Sequence, residues 1–272
     1  GVSRYIPEGE CTLEAKKMLG GLSFMLRGLP FLYQGQELGL ENVQFTDISQ
    51  VDDISTKDEY QVALNAGCTR EEALKAINRY SRDHARLPYP WNDGPQGGFT
   101  TGTPWLMANP AYPTLNLAAE KQDENSVWHF YRKLIQLRKN PEYHETVVYG
   151  AFEAYLEDQH NLMAYFRKGD KTLLVAGNYQ PQPQTMKLPA SIRKVLVNDL
   201  PTLEEKDGSV VLAGYQFLVL DNAKQPEQAA EFGLDPENVM DYDFEDAKNN
   251  IKTYVEEVMT ALGGGDDRFK TE

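Results

Sequence analysis

Residues 81–93, SRDHARLPYPWND, combine rigid and charged side chains in a pattern suited to binding a polar ligand. Two arginines, Arg82 and Arg86, flank an Asp-His pair, and prolines stand on both sides of a tyrosine just before Trp91. A guanidinium is a planar fork of five donors that suits bidentate hydrogen bonding, and proline restricts the backbone. The pattern therefore predicts hydrogen-bond donors that are held in one place beside an aromatic ring.

Motifs of several other chemistries are absent from the sequence, which has no Walker loop, dinucleotide-binding glycine fingerprint, HExxH or GxSxG. The four histidines are scattered, and His129, beside the apolar face of a predicted helix, is expected to pack in the core rather than bind a metal. The acidic run 241–246 lacks the glycine that an EF-hand needs. No metal site or cofactor is therefore predicted. A pair of carboxylates would serve glycoside cleavage, but the bare sequence does not single out one pair.

The composition excludes some classes of partner. The 272 residues carry a net charge of −14, which repels nucleic-acid phosphate and anionic membranes. No apolar run reaches membrane-spanning length, and the first residues do not predict a signal peptide. Cys11 and Cys68 lack the spacing of a zinc site or a disulfide framework, which favours two reduced thiols in a cytoplasmic protein.

The sequence before residues 81–93, called the charged loop below, predicts an α/β pattern. Apolar residues at three-four spacing predict a helix over 13–27. The apolar run PFLYQG at 30–35, followed by a Gly-rich loop, predicts a strand buried on both faces. The long stretch 40–123 is predicted to be irregular and functional. Capping patterns predict helices near three positions: Thr56 with Glu59, Thr69 with Glu72, and Asn125 or Ser126.

Beyond Tyr143 the pattern changes from helical to alternating. Short β-rich runs, beginning with VVYGAFEAYL, are separated by turn signals and predict an antiparallel sandwich over 143–221. The domain boundary is placed near 142–146. Residues 222–272 hold 13 acidic and five basic side chains and one amphipathic helical pattern at 244–262. This acidic tail is expected either to pack on the same chain or to dock on a partner.

Five blocks in this order resemble a known family: FLYQGQELGL, SRDHARLPYPWND, GGFTTGTPW, NPAYPTLNLAAE and SVWHFYRKLIQLRK. They are similar to the C-terminal half of the α-glucosidase branch of the α-amylase superfamily (glycoside hydrolase family 13). That branch includes oligo-1,6-glucosidase, dextran glucosidase, trehalose-6-phosphate hydrolase and sucrose isomerase. The resemblance covers about residues 1–221. It implies the last part of a (β/α)8 TIM barrel over 1–142, with a long loop region after its last strand, then the family's β-sandwich domain C over 143–221.

The resemblance also implies that the catalytic groups lie elsewhere. In this family the nucleophile Asp, the acid/base Glu and a third Asp precede the position that matches Gly1, as does a calcium-binding loop. No catalytic residue is therefore expected in this chain, and the segment alone is expected to be inactive. The expected partners are an oligosaccharide substrate and the missing N-terminal half of the barrel.

The same resemblance suggests roles for residues of the charged loop. Arg86 matches the family arginine that holds the non-reducing glucose in subsite −1, which makes the enzyme exo-acting. Asp83 is expected to orient an arginine, and Trp91 with the prolines to form the pocket wall. Arg4 is expected either near the acceptor subsites or in a structural salt bridge, and Arg82 to brace the loop.

Three departures from the family pattern bear on specificity. The chain has LPYPW at 87–91 where the family commonly has Thr-Pro-Met-Gln-Trp, and Gln36 where it has the first Glu of Gly-Glu-Glu. Glu37 is expected either to be structural or to support a residue that contacts the substrate. Ser55 replaces a Glu associated with the acceptor subsite, a role that Asp52, Asp53 or Asp58 could take over.

The leading hypothesis is a retaining α-glucosidase acting on short α-linked gluco-oligosaccharides of the isomalto-oligosaccharide type. The alternatives are a trehalose-6-phosphate hydrolase, a sucrose isomerase or a non-catalytic interaction fragment. A phosphate site ranks lower because Lys57 is the only Lys or Arg in residues 41–68.

Overall fold

The structure is a computed structural model that describes residues 2–200 and 203–222. In these residues all α-helices precede all strands. The helices are α1 (Leu13–Phe24), α2 (Ile54–Asn65), α3 (Arg70–Tyr80), α4 (Leu117–Gln122), α5 (Val127–Lys139) and α6 (His144–Tyr149). The strands are β1 (Ala151–Tyr155), β2 (Leu162–Lys168), β3 (Thr172–Asn178), β4 (Gln184–Lys187), β5 (Ile192–Asn198), β6 (Glu204–Lys206), β7 (Ser209–Leu212) and β8 (Phe217–Asn222).

The helix starts follow local hydrogen-bond chemistry. Thr69 and Glu72 form the predicted capping box at α3, and Ser126 caps α5. The prediction of a cap at Thr56 was wrong, because the N-cap of α2 is Asp53. The Asp53 carboxylate accepts the Thr56 N–H and hydroxyl at 3.0 and 2.7 Å, so Thr56 lies inside the first turn. A charged acceptor makes the stronger hydrogen bond and outcompetes the threonine hydroxyl.

The predicted strand at 30–35 is not formed. Residues 29–33 have no regular secondary structure, and the side chains of Leu29 and Phe31 are 73% and 85% exposed. A strand exists only where a neighbour supplies its backbone hydrogen bonds, and the structure has no strand in residues 2–150. The apolar run is therefore unpaired and uncovered.

The start of the predicted sandwich also differs. The run 147–149, read as the first strand, is the last half of helix α6, and the first strand begins at Ala151. Val147 is fully buried in the core that includes α5. The Thr146 hydroxyl accepts the Lys171 N–H at 3.1 Å in the turn before β3. These tertiary contacts override the β-propensity of two adjacent valines.

Two antiparallel sheets follow, as predicted. The larger has strand order β1-β2-β3-β8-β5, and the smaller has order β4-β7-β6. Alternate residues of the central strand β3 face opposite sides: Leu174 and Ala176 pack with the smaller sheet, whereas Leu173 and Val175 pack with the helices. The large sheet is therefore covered on both faces, which explains why its central strands are buried throughout.

Helix α1 is joined to the large sheet by buried polar contacts. The Tyr165 hydroxyl donates to the Leu22 carbonyl at 2.6 Å. The fully buried Arg167 donates to the carbonyls of Met25 and Gly150 at 2.7 and 2.8 Å. A cation at the C-terminal end of a helix suits the partial negative charge there. These contacts fix α1, and with it one side of the cleft described below.

The predicted acidic tail, 222–272, lies outside the described residues except for its first residue. Among the residues that are described, no helix combines the length and apolar character needed to cross a membrane.

Candidate functional site

A small core supports the charged loop. Apolar side chains from the segment 43–51, from α2 and α3 and from Leu87 pack together beneath it. The Asn78 side chain, at the end of α3, pairs with both backbone groups of Phe45 at 2.7 and 3.0 Å. The loop leaves α3 as a short 3₁₀ helix, Arg82–Ala85, capped by the Ser81 hydroxyl. Its position is therefore fixed by packing from below and by capping at its start.

Asp83 is the buried centre of the loop. Its side chain is fully buried, and its Oδ2 accepts the backbone N–H groups of Asp52 and Asp53 at 2.7 and 2.9 Å. Its Oδ1 accepts Arg86 Nη1 at 3.2 Å. Asp83 thus ties the start of α2 to the loop and holds an arginine, which is the contact expected of it.

Asp53 joins the two arginines. Its Oδ1 accepts Arg82 Nη2 at 2.8 Å and Arg86 Nη1 at 3.2 Å. Its Oδ2 is used by Thr56 at the start of α2. Arg82 also reaches the Ser55 hydroxyl at 3.2 Å, so it braces the loop as expected. With both oxygens engaged, Asp53 is not free to contact a ligand in place of the missing acceptor-site Glu.

The charge of Asp53 is strongly stabilised. Burial of the side chain, which is 3% exposed, raises the pKa of Asp53. Hydrogen bonds from Thr56 and Arg82 outweigh burial and lower this pKa to about 2. An ionised carboxylate with no free lone pair at neutral pH is a poor general acid or nucleophile. Asp53 therefore positions arginines.

A cleft of about 810 Å³ opens beside this network, between the charged loop and α1. Arg82 and Arg86 line it on one side, and Leu22 and Ser23 of α1 line it on another. The Arg86 side chain is 34% exposed, whereas the two aspartates that hold it are buried. The Arg86 guanidinium therefore lines the cleft in an orientation that the two buried aspartates fix.

Aromatic and amide groups line the cleft next to the arginines. The Tyr89 hydroxyl donates to Glu37 Oε1 at 2.6 Å, and Gln36 Nε2 donates to the Tyr131 hydroxyl at 2.8 Å. Burial, followed by the bond to Glu37, raises the pKa of Tyr89, so it remains a protonated donor at neutral pH. Glu37 has a structural partner, as expected, while the Gln36–Tyr131 pair was not predicted.

Trp91 and Arg4 lie outside the hydrogen-bond network that joins Arg82 and Arg86 to Asp53 and Asp83. Trp91 is 51% exposed, lies 4.7 Å from Tyr89 between ring centroids and does not border the cleft, so its role as pocket wall stays a prediction. Arg4 borders the cleft and donates to the Tyr80 carbonyl at 3.1 Å. Within the described residues Arg4 forms no salt bridge, and its place near acceptor subsites stays a prediction.

The structure offers no metal centre in the part of the chain it describes, where no three or more His, Cys, Asp or Glu side chains converge. His129 is half-buried at the protein surface, where it is hydrogen bonded to the Lys121 carbonyl at 3.1 Å. The expectation that it packs in the core was wrong, because the start of α5 is capped against α4 and leaves this ring at the rim.

Sequence reasoning missed the central role of Asp53 and the contribution of Tyr89. One signal was available for Asp53, since an Asp three residues before Thr56 is a good N-cap. Nothing local could pair it with Arg86, which lies 33 residues further along the chain. In the sequence, Tyr89 was noted only because residues 87–91 differ from the common family pattern.

Comparisons with known proteins place this geometry in context. The family model for the alpha amylase catalytic domain matches residues 2–150. The chain is 39% identical over 193 residues to an oligo-1,6-glucosidase of Parageobacillus thermoglucosidasius, a match that covers 70% of this chain and 34% of that protein. It is 37% identical over 192 residues to a trehalose-6-phosphate hydrolase of Bacillus subtilis, with 70% of this chain and 34% of that protein covered.

A solved structure shows the same fold. The crystal structure of the Bacillus licheniformis trehalose-6-phosphate hydrolase superposes with a TM-score of 0.75 at 34% identity. The superposition covers 82% of this chain and 41% of that one. In these matches the chain covers 34–41% of the length of the similar proteins.

Proposed function

Because the chain belongs to the α-amylase family, we propose that it is the C-terminal segment of a retaining, exo-acting α-glucosidase. The substrates are short α-linked gluco-oligosaccharides of the isomalto-oligosaccharide type. The observation that carries this proposal is Arg86, a cleft-lining guanidinium held by the two buried carboxylates of Asp53 and Asp83. Similarity to oligo-1,6-glucosidases supports the isomalto-oligosaccharide type of linkage in the proposed substrates.

The proposed role of Arg86 is positioning. It donates to hydroxyls of the non-reducing glucose, away from the bond that breaks, so that binding energy orients the anomeric carbon. Hydrolysis proceeds by double displacement, in which a carboxylate about 5 Å from a second carboxyl group forms a glycosyl-enzyme that water then cleaves. Those two groups come from outside this segment, as the family resemblance implies. Within it, Asp53 and Asp83 are already engaged by the arginines and by backbone N–H groups.

The finer architecture is part of the same proposal. Residues 1–142 form the last part of the catalytic (β/α)8 barrel, and 143–221 form domain C, for which the two facing antiparallel sheets give support. Residues 222–272, which hold 13 acidic and five basic side chains, are the acidic tail of the same protein. The protein is cytoplasmic and this segment needs no cofactor, while the calcium-binding loop that the resemblance implies would lie in the N-terminal part. Neither nucleic acid nor membrane is a partner, in keeping with the net charge of −14.

The test uses the natural protein that contains this segment. The unsubstituted protein is expected to hydrolyse isomaltose. Arg86→Ala is expected to lower kcat/KM for isomaltose at least 100-fold, because it removes charged hydrogen bonds to substrate hydroxyls. Arg86→Lys is expected to recover little of this loss, since an ammonium cannot replace a bidentate fork. The control is Arg193→Ala on the exposed face of β5, which should leave kcat/KM unchanged.

A substrate panel distinguishes the proposal from its rivals. Trehalose-6-phosphate hydrolases are among the similar proteins, so trehalose 6-phosphate and sucrose are assayed beside isomaltose. A preference for trehalose 6-phosphate, or conversion of sucrose to an isomer, would replace the α-glucosidase proposal with that activity. Wild-type kinetics in the Arg86→Ala variant would remove the role given to Arg86.

A further inference from the structure

Tyr89 is presented to the cleft by an unusually rigid piece of chain. It stands between Pro88 and Pro90, both of which are buried, so the backbone on either side has little freedom. The Pro90 carbonyl also accepts the Leu117 N–H at 3.0 Å, which ties the segment to the start of α4. Tyr89 borders the same cleft as Arg86. A side chain fixed in this way can contact a ligand without losing much conformational entropy.

The polar edge of Tyr89 already has a partner. Its hydroxyl donates to Glu37 at 2.6 Å, and Trp91 packs near its ring with an interplanar angle of 59°. The hydroxyl and one part of the ring are therefore occupied by protein. What remains at the cleft is apolar aromatic surface. An amphipathic aromatic ring of this kind suits the C–H face of a sugar ring.

We propose that Tyr89 is a specificity-determining residue of this site, whose ring packs against a sugar ring of the oligosaccharide that Arg86 holds. Glu37 is the positioning residue that fixes the ring. The inference rests on the proposed function, and it adds an apolar contact to the polar one that Arg86 supplies. Arg86 and Tyr89 lie three residues apart on one rigid loop, so the two contacts have a fixed spacing.

A purely structural role for Tyr89 makes different predictions. If the tyrosine only tethered the loop to Glu37, loss of the hydroxyl in Tyr89→Phe would do as much harm as loss of the ring in Tyr89→Leu. If the ring contacts sugar, Tyr89→Phe keeps most of the function and Tyr89→Leu does not. The effect should also fall on KM more than on kcat, because the contact is present in both ground and transition states.

The experiment measures isomaltose hydrolysis and binding by the natural protein that contains this segment. Tyr89→Leu is expected to raise KM at least tenfold with kcat changed less than threefold, and Tyr89→Phe to raise KM less than threefold. Glu37→Gln, which keeps an acceptor oxygen, should resemble Tyr89→Phe. The matched control is Tyr149→Leu, an exposed tyrosine of α6 that should leave KM unchanged.

Several outcomes would overturn the inference. An unchanged KM in Tyr89→Leu, or equal losses in Tyr89→Leu and Tyr89→Phe, would show that the ring does not contact sugar. If circular dichroism shows that Tyr89→Leu is misfolded, Tyr89→Met takes its place, since the similar family commonly has Met here.

The proposed function and the inference can fail separately. If the unsubstituted protein hydrolyses no α-glucoside, the proposed function fails, and calorimetric binding of isomaltose becomes the readout for Tyr89. At least tenfold weaker binding in the Leu variant would then support the sugar contact, while no binding by the unsubstituted protein would overturn it.

Discussion

At the scale of single residues, the site depends on how Arg86 is held. In the described part of the chain, the hydrogen bonds of its guanidinium all come from Nη1, which reaches both Asp53 and Asp83 at 3.2 Å. Nη2 and Nε therefore keep their donors for a ligand. This division of one side chain between protein and cleft explains how a cation can be rigid and still available.

The charge of Asp53 gives a prediction that depends on pH. The folded pKa of about 2 lies below the ordinary 3.8, so ionised Asp53 stabilises the fold above pH 4, and this stabilisation is lost as pH falls towards 2. The shift corresponds to ~2 kcal/mol. Asp53→Asn, which keeps an N-cap, should lower the free energy of unfolding by about this amount at pH 7.

Urea unfolding between pH 7 and pH 2.5 checks the prediction for Asp53. The difference between the two proteins should shrink as pH falls from 4 to 2.5. The control is Asp58→Asn, an exposed carboxylate on α2 that should change stability little. A difference that stays constant over this range would show that the lost stability does not come from ionisation.

The residues of the site could be predicted from sequence only in part. The loop at 81–93 was singled out by its residue types, whereas the roles of Arg86 and Asp83 within it came from the family resemblance. Asp53 acts on this loop from 30 residues away through its backbone N–H and from 33 residues away through its side chain. Such a contact is set by the packing of α2 on α3, which no local pattern contains.

At the scale of elements, caps decide where the helices that carry the loop begin. The Thr69 hydroxyl accepts the Glu72 N–H at 3.2 Å, and Glu72 accepts the Thr69 N–H at 2.8 Å. Thr69→Ala removes half of this box at an exposed site and should lower the free energy of unfolding by about 1 kcal/mol. Chemical denaturation measures the loss. Thr101→Ala, an exposed threonine in a loop, should cost nothing measurable.

A stability of Thr69→Ala equal to that of Thr101→Ala would show that α3 is held by packing alone. That outcome is physically possible, since Ala73 and Ile77 of α3 are both buried in the small core beneath the loop. The comparison therefore separates capping from packing as the source of the position of α3.

The elements themselves were predicted well where periodicity was long. Helices α1 and α5 each have at least three turns of apolar spacing. Helix α1 was predicted within a few residues of its observed ends, and the predicted start of α5 at Asn125 or Ser126 includes its N-cap, Ser126. Short apolar runs failed, since 30–35 is unpaired and 147–149 is helical. Over three to six residues, a buried strand, a buried helical turn and an uncovered segment share the same composition. Neighbouring elements decide among them.

At the scale of the whole molecule, one buried arginine joins helices and sheet. Arg167→Met removes charged hydrogen bonds to the carbonyls of Met25 and Gly150 and leaves both without that donor. Unsatisfied buried carbonyls cost about 1–3 kcal/mol each, so the free energy of unfolding should fall by roughly 2–6 kcal/mol. Equilibrium urea unfolding provides the measurement, and Arg193→Met on the exposed face of β5 is the control.

A loss below 0.5 kcal/mol would contradict the role given to Arg167. It would show that the contact between α1 and the sheet depends on apolar packing alone, for example on Phe217. A Cβ added to Gly21 would lie only 2.6 Å from that ring, so the helix already approaches the sheet closely there.

The hydrogen bonds that hold α1 to the large sheet also determine when α1 can pack during synthesis of the chain. Tyr165 and Arg167 reach Leu22 and Met25 across 143 and 142 residues of chain. A ribosome that adds about 5–20 residues per second takes roughly 7–30 s to make that stretch. For at least that interval α1 has been synthesised, and strands β3 and β8, on which its apolar face packs, have not. Chaperones that shield apolar helices during translation should therefore matter more for this protein than for one whose helices pack on their immediate neighbours.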